Sequence, residues 1–484
     1  MKKLIENIIP YIIVFTASIF RPYDPDLGWH LKYGEYFFKH GQILRDNIFS
    51  TMMADYKWIN HSWATDILTY AVFNNLGFLG LTLLGALVVT LSFYFFSRAV
   101  KLTAWEEIIL FPIILFFTYP VNQVSFRAQL LSIMFLGILF YTLNKYENTR
   151  LKKFLLIFGL FVLWANFHGE FILGIVILGI WEFIKNIKNF YFSNKRTKII
   201  LISSFKISAL LVITAILATL FNPFAVGVYQ EAFNHFGNPS QKYVMEWLYV
   251  EQLSELWWKN IVMAILLSLG LIFLFLNNKY RDVIQFIGLV IIFFCMSFWA
   301  RRYSWPMYYM TFPILSSLAV FLKPNSKTAT LYSSIVFFAL YLLIIFFIKI
   351  PISQYKDMSW DVYCREFAKC SRRSVEYIIK NKLDKNLLTL YNWGGWIIWN
   401  YPQIKPSIDG RMSFWRDKKG YSSFADYYGY EQNLKDIDNS KYNVVLMSPE
   451  KPVYKRLLKL AREKKWKLVY GDKFAGVFVR NKTF

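Results

Sequence analysis

The sequence predicts an α-helical polytopic membrane protein carrying a small C-terminal α/β domain outside the membrane. Three observations predict it. The 484-residue chain is 56% hydrophobic, with a mean hydropathy of +0.33, and long apolar runs recur along it. The loops between the runs alternate, one set rich in Lys and Arg and the other holding Asp, His, Glu and Asn. From about Pro351 onward the composition becomes that of a soluble domain.

The elements follow in order. Met1-Lys2-Lys3 precedes a first span near Ile8–Phe20. No small-residue cleavage site follows it, so it reads as a retained span. Its basic start sets the N-terminus in the cytoplasm. The first outer loop, residues 21–66, carries Asp24, Asp26, His30, His61 and Asp66. Asp26 suits the N-cap of a helix running to His40. Trp63–Leu76 is interrupted by Asp66, Asn74 and Asn75 and reads as an interfacial helix. Spans are then expected at Gly80–Phe96, Ile108–Tyr119, Leu130–Leu143, Phe154–Trp164, Phe171–Ile184 and Ile199–Phe221. A long outer loop through Glu246-Trp247 separates these from Ile261–Leu276, Val283–Trp299, Pro306–Leu322 and Leu331–Ile348. The total is about eleven spans, with the C-terminus outside. Ser193–Lys198 and Lys323–Thr328 read as flexible connectors.

The domain division expected is a membrane part, 1–350, followed by an extracytoplasmic part, 351–484. In the latter, Asn386–Tyr391, Tyr442–Met447, Trp466–Tyr470 and Gly476–Arg480 read as strands, and Pro452–Lys464 as a basic helix.

The formal charge is +24. Much of it sits in short inner loops, where it sets topology, so nucleic acid is not an expected partner. The three cysteines lack zinc-site spacing. Cys295 falls in a span and reads as packing. Cys364 and Cys370 are able to pair in an oxidising compartment.

The predicted topology gathers Asp24, Asp26, His30, His61, Arg127, His168, Glu170, Glu246, Arg301 and Arg302 on the outer face, while the span centres are almost free of charge. A transporter is expected to place such groups near the midplane. A site at the outer leaflet suits transfer from a lipid-phosphate donor instead. There the phosphate leaves as an anion and needs cations, for which Arg127, Arg301 and Arg302 are the candidates. A carboxylate takes the acceptor's proton, and Asp24 and Asp26 are the candidates. The same pair with His30 alternatively suits a divalent cation, magnesium or manganese. In the C-terminal part, Trp393-Gly394-Gly395-Trp396 suggests a tight turn, either presenting aromatic faces to a sugar or peptide or closing a hairpin over buried rings.

These residues resemble a known superfamily. The acidic motif of the first outer loop, the following Asp46-Asn47-Ile48-Phe49-Ser50, a helix from His61-Ser62-Trp63 and about eleven spans are similar to the GT-C glycosyltransferases. Trp164–Phe171, Phe221–Tyr229, Met245–Trp247 and a terminal GGW…DGR are like uncharacterised bacterial members. The resemblance implies an inverting enzyme that uses a polyprenyl-phosphate sugar, with Asp24 or Asp26 as catalytic acid or metal ligand. The acceptor would be a lipid-linked glycan or surface polymer. His30, His61, His168, Glu170 and Glu246 would line the cavity. Trp393, Trp396, Asp409 and Arg411 would help bind acceptor, since the NWGGW stretch is loosely like the acceptor-peptide motif of oligosaccharyltransferases. It lacks that motif's acid. Two further readings are protein glycosylation and non-enzymatic transport of a lipid or polysaccharide.

Overall fold

The computed structural model describes residues 2–192, 198–235, 237–323 and 358–481, with 326, 328–329, 331–336 and 339. The connector at 193–198 and the last expected span, Leu331–Ile348, fall mostly outside the described residues, and half of the connector at 323–328 does. The chain forms two compact units. One comprises residues 1–21, 82–228 and 245–352, and the other residues 22–81, 229–244 and 353–484. The first outer loop, assigned with the membrane part in the sequence division, thus packs with the C-terminal residues.

The first unit is helical. It contains α1 (Lys2–Ala17), the second part of α3 (Trp63–Val100), α4 (Ala104–Asn122), α5 (Ala128–Lys145), α6 (Arg150–Phe167), α7 (Phe171–Phe192) and α8 (Lys198–Ala218). Beyond α9 (Gly227–His235) it continues with α10 (Glu255–Leu276), α11 (Ile284–Trp299), α12 (Ser304–Met310) and α13 (Phe312–Phe321). Five described helices are long and apolar enough to cross a membrane: α3, α4, α5, α10 and the stretch Tyr280–Trp299. Their outer faces stay apolar. Val262, Ile265, Leu269, Ile272 and Phe275 are exposed along α10, the surface expected where lipid rather than water is the solvent. Cys295 lies on such an exposed face and not in the packing.

Local chemistry explains the helix ends. Thr103 and Glu106 form a reciprocal capping box at the start of α4. Trp63–Leu76 and the span from Gly80 meet directly at a kink at Gly77, where φ is 58° and ψ is −151°, as the sequence division places them. One expected span differs in detail. Pro306–Leu322 is two helices, because Pro313 has no N–H to donate back to the turn before it. Inside the bundle α6, α7 and α8 share a polar pin. Lys153 lies 3.3 Å from Glu182, whose other oxygen accepts from Ser208 at 2.7 Å.

The second unit is built on a four-stranded sheet of β1 (Leu387–Thr389), β2 (Val444–Met447), β3 (Trp466–Gly471) and β4 (Gly476–Arg480), in the order β1-β2-β4-β3. The β1–β2 pair is parallel and the other two are antiparallel. Every residue of β1 and β2 is buried. The strands fall where the hydrophobic runs placed them. Helices α14 (Arg372–Lys380), α15 (Gly394–Asn400), α16 (Ser423–Glu431) and α17 (Pro452–Arg462) complete the C-terminal part. Helix α2 (Leu27–His40) and the first part of α3 belong to this unit. Gly28 and Gly34 let α2 approach closely. A Cβ on Gly28 would stand 1.9 Å from the Gly395 carbonyl oxygen, and one on Gly34 would stand 2.3 Å from the Tyr70 Cβ. Cys364 and Cys370 are joined by a disulfide.

Candidate functional site

The sequence-predicted residues fall into two groups, one in each unit. In the second unit the acidic loop forms a tight local structure. The Asp24 carboxylate accepts from the Asp26 amide at 3.0 Å, and the Asp24 carbonyl accepts from the Tyr363 hydroxyl at 2.7 Å. Asp24 is buried and Asp26 is half-buried. Asp26 stands at the N-cap of α2, yet its side chain makes no capping bond.

One turn further on, His30 Nδ1 meets Asp66 Oδ1 at 2.5 Å. The other Asp66 oxygen accepts from the Asn60 amide at 2.6 Å. Burial would push the imidazole's pKa down, but the Asp66 carboxylate, with Asp24 and Asp26, more than reverses this and raises it. Asp66 closed the loop in the sequence, but nothing there identified it as the partner of His30. His30 is turned to Asp66, and Asp24 is engaged with the Asp26 amide. Among the described residues no group of three His, Cys, Asp or Glu side chains is arranged to hold a metal.

Asp409 and Arg411 form the other polar centre of this unit. The guanidinium binds the carboxylate in bidentate fashion, with Nε to Oδ1 and Nη2 to Oδ2 both at 2.7 Å. Both side chains are fully buried. Nη2 also donates to Asn47 at 2.9 Å and to Ser50 at 2.8 Å, and Ser50 in turn donates to Asp409. The guanidinium sits over Trp58, Phe49 and Trp415, 4.8, 5.0 and 5.4 Å from their ring centroids. Its Nη1 is buried with no hydrogen-bond acceptor among the described residues. A short antiparallel crossing brings these residues in: the Asn47 amide donates to Tyr56 O at 3.2 Å, and the Trp58 amide to Arg45 O at 2.7 Å. The Asp46–Ser50 and Asp409–Arg411 motifs, far apart in sequence, thus form one hydrogen-bonded structure. Each motif stood out in the sequence, but their partnership did not.

The tryptophans correct an expectation. Tyr391–Trp393 is a single 3₁₀ turn leading straight into α15, and Trp393 and Trp396 are interior side chains. The Trp393 indole donates to Ala368 O at 2.9 Å. Neither ring offers a face to an acceptor. The glycines between them pack instead against backbone. His61 is half-buried, with its ring edge-on to His235 at 6.2 Å.

In the first unit, the turn between α6 and α7 carries His168 and Glu170. Arg302 donates to Glu170 at 2.7 Å and stacks over Trp247 at 4.4 Å, with Glu246 at 4.0 Å. His168 shares a 2.7 Å hydrogen bond with Ser132, which also accepts from the Trp164 indole at 2.9 Å. Burial raises the Glu170 carboxyl above its ordinary range, against the pull of Arg302. Four of the predicted residues, His168, Glu170, Glu246 and Arg302, therefore meet. Arg301 does not join them. It donates to Tyr249 O at 3.3 Å and faces Glu251. Arg127 is half-buried at the N-cap of α5.

No family model and no curated protein matches the sequence. Solved structures do match the fold. ArnT from Cupriavidus metallidurans bound to undecaprenyl phosphate aligns with a TM-score of 0.51 at 12% identity, covering 99% of this chain and 98% of that one. The oligosaccharyltransferase of Archaeoglobus fulgidus in its apo form aligns with a TM-score of 0.54, also at 12% identity, covering 92% of this chain and 70% of that one. The chain shares the fold of these two structures.

Proposed function

We propose that this membrane protein transfers a sugar from a polyprenyl-phosphate donor to a glycan or surface acceptor on the outer side of the plasma membrane. The observation that carries this reading is the fold match along nearly the whole chain to ArnT, whose structure holds undecaprenyl phosphate. The Cys364–Cys370 disulfide supports an extracytoplasmic C-terminal part, because such bonds persist in oxidising compartments. The lysine-rich N-terminus supports a cytoplasmic start.

In the reaction, an acceptor hydroxyl attacks the anomeric carbon from the face opposite the phosphate. The C1–O bond to phosphate breaks, the new glycosidic bond forms with inversion, and polyprenyl phosphate departs as an anion. A carboxylate takes the hydroxyl proton. Asp26, which is half-buried, suits this role better than the buried Asp24. Within the first unit, Arg302 is the predicted cation whose guanidinium donates to Glu170 and stacks over Trp247.

Protein glycosylation is the second reading, favoured by the likeness to the oligosaccharyltransferase. The buried Trp393 and Trp396 supply no aromatic platform for a peptide. Purified protein incubated with a panel of polyprenyl-phosphate sugars and envelope extract tests the proposal. Release of free polyprenyl phosphate, with sugar appearing on an envelope glycan, is expected. Binding of donors without release under any acceptor condition would replace the enzyme with a carrier, and label in glycopeptides would favour the second reading.

A further inference from the structure

We propose that Gly410 is a positioning residue for Asp26, and that the GGW and DGR motifs hold the acid-bearing loop in place instead of binding acceptor. The inference rests on the reading of Asp26 as the proton-accepting acid. A Cβ on Gly410 would stand 1.6 Å from Asp26 Oδ1 and 2.5 Å from its Cγ. The Asp26 carboxylate thus occupies the volume that any other residue at 410 would fill. Backbone conformation does not demand glycine there, since Gly410 is not among the positive-φ glycines Gly41, Gly77, Gly237 and Gly420. The demand is for space.

Two neighbouring glycines extend the contact. A Cβ on Gly395 would stand 2.5 Å from the Pro25 carbonyl oxygen, and one on Gly394 would stand 2.4 Å from Ile408 O and 2.6 Å from the Asp409 Cβ. The loop at 24–26 therefore rests on Gly395 and Gly410, and Gly394 locks the two supports together. The bidentate Arg411–Asp409 pair and its bonds to Asn47 and Ser50 fix the 409–411 turn from behind.

The positions differ in what must give way. At Gly394 and Gly395 the obstacle includes backbone, and substitution would disturb the fold. At Gly410 the obstacle is the end of one side chain. Gly410→Ala is relieved by swinging the Asp26 carboxylate aside, and a displacement of about 1 Å at a reacting group costs on the order of 100-fold in rate.

The experiment uses the full chain in nanodiscs. Gly410→Ala is made alone and in an Asp26→Gly background, with Gly159→Ala as control, because a Cβ at Gly159 meets nothing within 4 Å. Melting temperature and the steady-state constants are measured for each. Gly410→Ala is expected to lower the melting temperature in the wild-type background and to have little effect once the Asp26 carboxylate is gone. Donor kcat is expected to fall about 100-fold with KM within about twofold, and Gly159→Ala to behave as wild type. Equal melting losses in both backgrounds, or an unchanged kcat, would overturn the proposal. If the wild type turns over no donor, the transferase reading fails, and the melting cycle alone still decides whether Gly410 and Asp26 are coupled.

Discussion

At the scale of single residues, the second unit concentrates charge where water is excluded. Arg411 and Asp409 are both fully buried and satisfy one another. Breaking such a pair leaves an uncompensated buried charge, which costs about 3–5 kcal/mol. Arg411→Met is therefore expected to lower the thermal midpoint strongly, whereas Arg372→Met, at an exposed pair, should scarcely move it. A similar shift for both would remove the structural role given to Arg411. The His30–Asp66 pair makes a pH prediction. The folded imidazole binds its proton more tightly than the unfolded one. Its contribution to stability is then complete below the ordinary histidine value and is lost as pH rises through the raised folded value. Melting temperature should fall along the alkaline arm in the wild type and less steeply in His30→Asn. Parallel curves would show that the pair does not link protonation to folding.

At the scale of elements, close approach of helices through glycine recurs. Gly34 sits against the Asp66 carbonyl oxygen and Tyr70 of α3. Gly34→Leu should force α2 off α3 at about 1–3 kcal/mol or more, and loosen the His30–Asp66 contact that spans them. A lower midpoint together with a flattened alkaline arm would report both effects. An unchanged alkaline arm would separate the packing from the ion pair. Most elements were legible in the sequence because their signals are local. Apolar runs gave the spans, and short Val- and Leu-rich runs gave all four strands within a few residues. The break at Gly77 was legible as the gap between two runs, whereas that before Pro313 was not. A glycine or proline inside an apolar run marks a possible break, and the surrounding packing settles whether it becomes one. Asp26 had the residue type and position of an N-cap, yet its carboxylate is packed against Gly410 instead.

At the scale of the whole molecule, the chain carries the fold of the two matched structures, and its loop after the first helix is built into the same compact unit as its C-terminal part. The sequence division at residue 350 follows composition, and composition does not register contacts between segments hundreds of residues apart. For the same reason the sequence marked Asn47, Ser50, Asp409 and Arg411 in separate motifs without joining them, and left Trp393 and Trp396 between an aromatic platform and buried rings. The individual acids and cations were legible, because charge beside apolar runs is costly and conspicuous. Their grouping into His30–Asp66–Asn60, Asp409–Arg411 and Glu170–Arg302 was not.

The most direct test of the proposed reaction separates donor binding from transfer. Single-turnover reactions with a radiolabelled polyprenyl-phosphate sugar would compare wild type with Asp24→Asn and Asp26→Asn, each first shown to be folded and to bind the donor. The account predicts that both variants bind donor as the wild type does, and that Asp26→Asn loses about 100-fold or more in the transfer step. Transfer at the wild-type rate by Asp26→Asn would contradict it.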